Sequence, residues 1–257
     1  MENKYPIYII SKGRYEKTLT ADNFIKAGIK FYIAVEPQEY EQYFKKIGGN
    51  NILKLPFSNL GLGSYPARNY CWEHSKANGY KYHWLFDDNI ICFKKWINGK
   101  RKNINNIKEA LIYVEQFIIK NNIDIGGFEE PNFVTKIPKN PFKYNCHVYS
   151  AMLINNNLPY RWRLKYNEDV DLCLQVLHNK GKTASCVYYM ADKVSTSCKM
   201  KGGNQTELYL GNKQEKNLLK ATMLQKVWPQ YVKIVIRFKR HHHFINWNIF
   251  KKQLINN

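Results

Sequence analysis

The chain has 257 residues, of which 44% are hydrophobic and 15% aromatic, a composition that excludes wholesale disorder and suits one large α/β domain. Lysine and arginine number 40 against 20 aspartate and glutamate residues, so the formal charge is +20. That excess predicts a polyanionic partner, with nucleic acid ahead of a membrane surface or an anionic glycan. The alternative is a chain that uses lysine as a generic surface residue.

The first part of the chain alternates between strand-like and helix-like segments. Buried strands are predicted at 6–10, 31–35 and 52–56, with helices at 18–27 and after 36–40. Strand–helix–strand at this spacing predicts a parallel sheet with right-handed crossovers.

The later elements extend the same pattern. Between 126 and 149 the chain is rich in Pro, Asn and Lys, and we predict an irregular segment there, either a lid or a loop that faces the acceptor. Residues 232–238 alternate apolar and basic residues and lead into a basic, aromatic tail. The other predicted elements are helices at 66–75, 107–119, 168–177 and 218–227, and strands at 80–86, 148–154 and 183–189.

Cysteine usage and hydropathy indicate the compartment. The six cysteines include no CxxC pair and are widely scattered, which argues against a zinc site or a disulfide framework and favours reduced thiols. The N-terminal residues lack a signal-peptide layout, and no apolar run approaches the roughly 20 residues that span a bilayer. We expect a cytoplasmic protein with no membrane partner and no protein partner.

Two adjacent acids, Asp87 and Asp88, follow the apolar strand that ends in Trp84-Leu85-Phe86. The carboxyl ends of strands form the ligand crevice of an α/β sheet. Paired carboxylates followed by Asn89 suit a hard divalent cation that is shared with substrate phosphates. We predict that Asp87 and Asp88 hold Mn²⁺ or Mg²⁺, which neutralises a nucleoside-diphosphate leaving group. The alternative is an ordinary strand-to-loop turn, where Asp and Asn are favoured.

A second acidic cluster, Asn167-Glu168-Asp169-Val170-Asp171, opens a predicted helix. A capping Asn and acids that complement the helix dipole are a sufficient structural explanation. A carboxylate fixed at a helix start can also act as a general base toward an acceptor hydroxyl. We assign that role to Asp169 ahead of Glu168, with direct displacement and inversion; a retaining route would not need the base. Asp171 points away from Asp169 and is expected to be structural.

Polar residues after the first strands are candidates for donor binding. Ser11, Lys12 and Arg14 follow the first strand, at the usual nucleotide edge of such a sheet. Glu36 follows the second strand and could meet a base or ribose. Arg68 lies between a glycine-rich loop and a helix, where it can bind a diphosphate in bidentate fashion. Together with the two acid clusters, these residues are typical of an enzyme that uses a nucleotide-sugar.

The order of these motifs also carries a family resemblance. The chain resembles the TET/JBP-associated glycosyltransferases, a GT-A-type group found largely in bacteriophages. The segment 237–242 and the aromatic residues after it are similar to the end of that family. The motifs that carry the resemblance are Ile9-Ile10-Ser11-Lys12-Gly13-Arg14, Val35-Glu36-Pro37-Gln38-Glu39-Tyr40, Ala67-Arg68-Asn69, Trp84-Leu85-Phe86-Asp87-Asp88-Asn89 and Asn167-Glu168-Asp169-Val170-Asp171.

The resemblance implies an α/β, GT-A-like (Rossmann-like) fold, in which a mostly parallel sheet is flanked by helices and followed by a basic aromatic C-terminal extension. We expect 1–257 to form a single glycosyltransferase domain. Its nucleotide-sugar and metal half would be 1–125, its acceptor and catalytic-acid half 126–215, and the extension 216–257.

The resemblance also implies an activity: transfer of a sugar from a UDP-sugar to the hydroxyl of a 5-hydroxymethylpyrimidine, such as 5-hydroxymethylcytosine, in DNA. The metal acids would be Asp87 and Asp88, and the catalytic acids Glu168 and Asp169. The nucleotide would be faced by Arg14, Glu36, Arg68 and Asp87. A late histidine ligand to the metal stays open between His147, His178 and His241.

A DNA acceptor base would have to leave the stack to meet the donor sugar. The rings that could stack on it are those of Tyr144, Trp162 and Tyr166. Cations that could contact DNA are Lys199, Lys201 and Arg240. His241-His242-His243 is interpreted as a basic surface element near nucleic acid, because adjacent strand residues alternate faces and rarely converge on one ion. The alternatives are a GT-A enzyme with a glycan or protein acceptor, and a nucleic-acid-binding module without catalysis.

Overall fold

The computed structural model describes residues 4–194, 200–203 and 213–251. The predicted DNA contact Lys199 lies outside these ranges. The strands are β1 (Ile7–Ile10), β2 (Tyr32–Val35), β3 (Ile52–Lys54), β4 (Tyr82–Asp87), β5 (Ile90–Ile97), β6 (Lys100–Ile104), β7 (Ile125–Glu129), β8 (Phe142–Tyr144), β9 (Ala151–Asn155), β10 (Thr183–Lys193), β11 (Val232–Arg237) and β12 (Arg240–Ile245). The helices are α1 (Leu19–Lys26), α2 (Tyr40–Ile47), α3 (Tyr65–Ala77), α4 (Ile107–Lys120), α5 (Glu168–His178), α6 (Lys213–Val227) and α7 (Asn248–Lys251).

Ten strands form one sheet in the order β3-β2-β1-β4-β9-β7-β10-β5-β6, and β8 pairs with the first part of β10. Strands β9, β8 and β5 run antiparallel to their neighbours, and the other seven share one direction. Helices cover both faces, with α1 and α4 on one and α3 and α5 on the other. The predicted α/β, GT-A-like class with a mostly parallel sheet is therefore confirmed.

Strand β4 shows how the sequence sets the two faces. Because side chains alternate along a strand, Trp84 and Phe86 pack with α1 and α4, whereas Leu85 packs with α3 and α5. All three are fully buried. The indole of Trp84 donates a hydrogen bond to Glu115 Oε1 at 2.8 Å, which satisfies its polar atom within the core. Burial on both faces explains the continuous apolar run of this strand.

The register of β1 with its two neighbours shows which edge of the sheet carries the predicted site residues. Ile10 is paired with Asp87 of β4 on one side and with Ala34 of β2 on the other. The residues that follow these strands therefore emerge at the same edge of the sheet. This edge is the crevice at which α/β sheets bind their ligands.

Two parts of the sheet differ from the sequence prediction. The segment 126–149, predicted to be irregular, contains most of β7 and all of β8, so the prediction is wrong for 126–129 and 142–144. Gly126 and Gly127 weaken the strand signal, yet a Cβ atom at Gly127 would lie 2.1 Å from the carbonyl oxygen of Ala151, so the close approach of β9 requires glycine there. The hairpin of β5 and β6 was not predicted, although its Asn98-Gly99 turn is a strong hairpin signal.

Strands β11 and β12 form a separate two-stranded sheet. Val232 and Ile245, at the open end of this hairpin, are buried with Leu224 of α6 and with Val170 and Leu174 of α5. The C-terminal part of the chain is thus attached to the helix that begins with the second acid cluster. In the part of the chain that the structure describes, no helix combines the length and apolar character needed to cross a bilayer.

Candidate active site

A cleft of 420 Å³ opens at the carboxyl ends of β1, β2, β4 and β10 and at the first turn of α5. Residues of the loop between 57 and 64 also line it. The structure brings all the predicted donor, metal and catalytic residues together in this cleft: Ser11, Lys12, Arg14, Glu36, Arg68, Asp87, Asp88, Glu168 and Asp169. Their roles stay predictions, but their proximity is a property of the fold.

Asp88 lies at the back of the cleft, with its side chain 6% exposed. One carboxylate oxygen accepts a hydrogen bond from Ser11 Oγ at 2.7 Å, and the other is in close contact with Arg14 Nη1. Ser11 is in turn hydrogen-bonded to Tyr43 at 2.6 Å. Burial raises the pKa of Asp88, although Arg14 and Ser11 oppose this rise. Both oxygens of Asp88 are therefore occupied by protein groups.

Arg68 connects the two acid clusters. Its Nη2 donates to Asp87 Oδ1 at 2.9 Å, and its Nε lies 3.4 Å from Glu168 Oε1 and donates to Ser64 Oγ at 2.9 Å. Ser64 completes the link by donating to Glu168 Oε1 at 2.6 Å. Burial alone would lower the pKa of Arg68, but Asp87 and Glu168 outweigh it and raise the pKa. Burial raises the pKa of Glu168 although the guanidinium of Arg68 opposes it.

Asp169 is more open to the cleft than Glu168, with side-chain exposures of 27% and 12%. His147 Nε2 lies 3.2 Å from Asp169 Oδ2, and the backbone N–H of Val170 donates to Oδ1 at 2.8 Å. Burial alone would raise the pKa of Asp169, but His147 and Arg68 outweigh it and hold the pKa well below the usual range. Asp169 is therefore an accessible, ionised carboxylate in a fixed orientation.

Glu36 closes the other end of the cleft. It accepts hydrogen bonds from Lys12 Nζ at 3.0 Å, Gln38 Nε2 at 2.6 Å and the N–H of Asn59 at 3.0 Å. Burial alone would raise the pKa of Glu36, but these donors outweigh it and lower the pKa. The arrangement holds an ionised carboxylate at the C-terminal end of β2.

Lys193, at the end of β10, was missed by sequence reasoning. Its Nζ donates to Ser150 Oγ at 2.6 Å and lies 2.9 Å from Glu130 Oε1 and 4.0 Å from Asp87 Oδ2. Burial alone would lower the pKa of Lys193, but Asp87 and Glu130 outweigh it and raise the pKa. No local pattern marks this lysine, because its position depends on the strand order. Strand β10 is separated from β4 by β9 and β7, and this order brings Lys193 to the edge of the sheet that carries Asp87.

The three aromatic residues predicted to contact the acceptor are not among those that line the cleft. Trp162 is 1% exposed and lies beneath Arg68, whose guanidinium is 4.9 Å from the ring centre, and Tyr166 is 5% exposed. Tyr144 packs on Phe117 of α4, on the sheet face opposite to α5. None of these three rings is therefore positioned to stack on a base in this conformation. Arg240 begins β12, and the carbonyl of Lys201 accepts a hydrogen bond from Arg14.

Asp171 has the structural role expected for it. It is fully buried and accepts hydrogen bonds from Arg163, Gln175 and the indole of Trp228. His178, one of the histidines left open as a metal ligand, is hydrogen-bonded to Tyr231 at 2.8 Å, at the far end of α5 from the cleft.

The donor set for a metal ion is partial. Across residues 4–194, 200–203 and 213–251, no group of three or more His, Cys, Asp or Glu side chains could hold an ion. Among the described residues, Asp87 Oδ2 has only Lys193 near it, at 4.0 Å, and Asn89 Oδ1 is buried without a hydrogen-bond partner. Both residues line the cleft. These two oxygens suit a Mg²⁺ or Mn²⁺ ion that takes its other ligands from water and substrate phosphates.

The fold and the cleft define the class: a mostly parallel sheet with cations and a carboxylate pair at its strand ends, and a second carboxylate pair at the start of α5, is the arrangement of a GT-A-type glycosyltransferase. The chain belongs to the TET-Associated Glycosyltransferase family, whose family model matches residues 5–203. The predicted family and the predicted enzyme class, glycosyltransferase, are both confirmed.

Solved structures show more distant similarity. A protein from Desulfovibrio desulfuricans G20 assigned as a nucleotide-diphospho-sugar transferase aligns with 10% identity and a TM-score of 0.39, covering 72% of this chain and 80% of that chain. The glycosyltransferase GlyE of Streptococcus pneumoniae TIGR4 aligns with 11% identity and a TM-score of 0.31, covering 89% of this chain and 44% of that chain. A comparison with curated protein sequences finds no match.

Proposed function

We propose that this glycosyltransferase moves a sugar from a UDP-sugar to the hydroxyl of a 5-hydroxymethylpyrimidine base in DNA, with the help of a divalent cation. One observation carries the proposal: the cleft places three cations, each now paired with a carboxylate, beside the accessible carboxylate of Asp169. Arg14, Arg68 and Lys193 supply the cations, and Arg68 contacts both acid clusters.

The donor diphosphate fits the part of the cleft that contains Arg68 and Lys193. Both cations face Asp87, so an entering diphosphate can take over contacts that this carboxylate now makes. The planar guanidinium of Arg68 can bind two phosphate oxygens at once. Glu36 lies at the other end of the cleft, where its ionised carboxylate can accept a hydrogen bond from a ribose hydroxyl or a base N–H.

A divalent cation would be held by Asp87 and Asn89 together with the donor phosphates. When bound, it would supply positive charge to the departing nucleoside diphosphate. Direct binding by Asp88, as the sequence predicted, would require this carboxylate to release Arg14 or Ser11. The structure therefore favours Asp88 as the residue that positions Arg14.

Acceptor activation is assigned to Asp169 because it is the more exposed of the two acids at the start of α5. In the proposed step, the acceptor hydroxyl oxygen forms a bond to the anomeric carbon of the sugar while the bond from that carbon to the diphosphate oxygen breaks. The hydroxyl proton passes to Asp169, which His147 holds in place. Such a displacement inverts the anomeric configuration.

The DNA acceptor is supported by charge. Beyond Glu215 the chain contains no acidic residue, and residues 216–257 contain nine lysine or arginine residues. This part of the chain packs beside the histidine that contacts Asp169, because the ring of Trp247 is parallel to that of His147, with the ring centres 6.0 Å apart. A strongly basic surface next to the proposed base catalyst fits a phosphate-rich acceptor.

The test is mass spectrometry of nucleosides from DNA that contains 5-hydroxymethylcytosine or 5-hydroxymethyluracil, after incubation with protein, Mn²⁺ and a panel of UDP-sugars. We expect a hexose or N-acetylhexosamine mass on one base. Asp169→Asn should abolish it, and Glu41→Gln, on the exposed face of α2, should not. UDP release without DNA modification would refute the DNA acceptor, and release from no donor in the panel would refute the UDP-sugar assignment.

A further inference from the structure

The hairpin formed by β11 and β12, residues 232–245, ends in an exposed aromatic residue. Phe238 is 90% exposed and Ile236 is 71% exposed, whereas Val232 and Ile245 at the opposite end are buried against α5 and α6. The hairpin is thus anchored at its open end and projects at its turn. Because the ring of Phe238 is not buried, it adds nothing to the packing of the fold. A large apolar side chain exposed at a tip therefore indicates a binding element.

The turn itself is unfavourable for the residues that form it. Phe238 has φ 50° and Lys239 has φ 58°, both in the left-handed region. Two-residue hairpin turns of this kind favour Asn-Gly, because a bulky side chain is strained there. An aromatic ring at this position costs stability, and strain of this kind is concentrated at functional sites.

Cations surround the tip and continue along the hairpin. Arg237 and Arg240 are paired across the last register position, and Lys233 lies on the same outer face. The guanidinium of Arg237 is 5.2 Å from the ring centre of Phe244 on that face. The hairpin contains no acidic residue. Its outer face is therefore a basic and aromatic strip that leads to Phe238.

The anchored end of the hairpin lies beside the proposed catalytic base. Trp247, two residues after β12, lies parallel to His147, which is 3.2 Å from Asp169. From Ile245 to Arg240 an extended strand covers roughly 17 Å. Phe238 is therefore too far from Asp169 to touch the reacting base, yet near enough to contact the same duplex.

We propose that this hairpin is a DNA-binding wedge. Its outer-face cations bind phosphates of the acceptor duplex, and the ring of Phe238 inserts between stacked bases at a distance from the base that is modified. Apolar wedges of this kind unstack a base step and bend the duplex, which lowers the cost of extruding a nearby base. The inference rests on the proposed DNA acceptor. An anionic membrane is the competing partner, and the attachment of the hairpin to α5, the helix that begins with Glu168 and Asp169, favours DNA.

The test measures binding without any donor sugar, so it is independent of transfer. Duplex DNA with 2-aminopurine reports unstacking by fluorescence and affinity by titration. Phe238→Asn removes the ring but suits the left-handed turn, so the hairpin should fold at least as well. We expect this variant to bind the duplex about tenfold more weakly and to lose the fluorescence increase. Phe44→Ala, which removes an exposed aromatic side chain of α2, should change neither.

The salt dependence separates the two parts of the wedge. Arg240→Gln should reduce the slope of log affinity against log salt by about one, whereas Phe238→Asn should leave the slope unchanged. Unchanged affinity and fluorescence in Phe238→Asn would overturn the wedge, even if sugar transfer to DNA is found. Binding to vesicles of anionic phospholipid in preference to duplex DNA would also overturn it. Loss of unstacking in Phe238→Asn would support the wedge even where no sugar transfer to DNA is detected.

Discussion

The ion pair between Arg14 and Asp88 is expected to be one of the most strongly coupled pairs in the protein. The side chains of Arg14 and Asp88 are 9% and 6% exposed, and Asp88 has no other cationic partner among the described residues. Arg14 also donates to the carbonyls of Lys201 and Gly202 at 3.1 and 3.2 Å. Asp88→Asn would leave a buried guanidinium without its counter-charge.

The expected loss of folding stability follows from the burial of the pair. Breaking a buried ion pair by removing one partner costs about 3–5 kcal/mol, because the other charge stays desolvated. For a protein of this size, about 3 kcal/mol lowers the melting temperature by roughly 6–12 °C. Because the double variant Asp88→Asn with Arg14→Gln removes both charges, we expect it to be destabilised by about 2 kcal/mol less than the sum of the single variants.

The assay is a double-mutant cycle measured by urea unfolding. The matched control is the arginine–carboxylate pair of Arg161 and Glu73, whose atoms are 2.7 Å apart but whose side chains are 32% and 55% exposed. Glutamine at both control positions should give a coupling below about 1 kcal/mol. If the losses in unfolding free energy from Asp88→Asn and Arg14→Gln add within about 0.5 kcal/mol, the two residues are not coupled. That result would refute the reasoning that burial, and not proximity alone, gives the pair its strength.

Three further predictions follow from the site and the sheet. If Asp169 is the base, its lowered pKa keeps it deprotonated, so kcat should stay constant as the pH falls to about 5. A decrease in kcat with an apparent pKa above the usual glutamate pKa of about 4.3 would instead identify Glu168 as the base. Lys193→Met should weaken UDP binding about tenfold in calorimetry, and an unchanged Kd would place the diphosphate elsewhere. Gly127→Ala should lower the free energy of unfolding by about 2 kcal/mol or more, and a change under about 0.5 kcal/mol would contradict the close contact with Ala151.

Local signals were enough to predict the framework of the cleft. The apolar run ending at Asp87 identified β4, and Asn167 with the acids after it identified the start of α5, although the side chain of Asn167 donates to the carbonyl of Lys220 and makes no capping hydrogen bond. In a mostly parallel sheet, residues at strand ends converge on one edge, so both acid clusters could be predicted to lie close together. The boundaries of 1–125, 126–215 and 216–257 stay a prediction.

Contacts between distant segments could not be predicted. The sequence shows two adjacent acids but not that Arg14 and Ser11 bind Asp88 whereas Arg68 binds Asp87. Lys193 has no local signal, because its role depends on the position of β10 within the sheet. Trp162 was one of three rings proposed to stack on a base, yet tertiary packing buries it under Arg68.

The backbone link between the loop after β1 and residues 201–203 has a consequence for synthesis on the ribosome. Gly203 N–H donates to the carbonyl of Lys12 at 2.7 Å, and a Cβ atom at Gly202 would lie 2.3 Å from the carbonyl oxygen of Gly13. At 5–20 residues per second, the roughly 190 residues between these partners take about 10–40 s to emerge. Strands β1 to β4 can pair during that interval, but Arg14 gains its carbonyl partners only afterwards. A nascent chain therefore has its central strands well before it has a finished donor cleft.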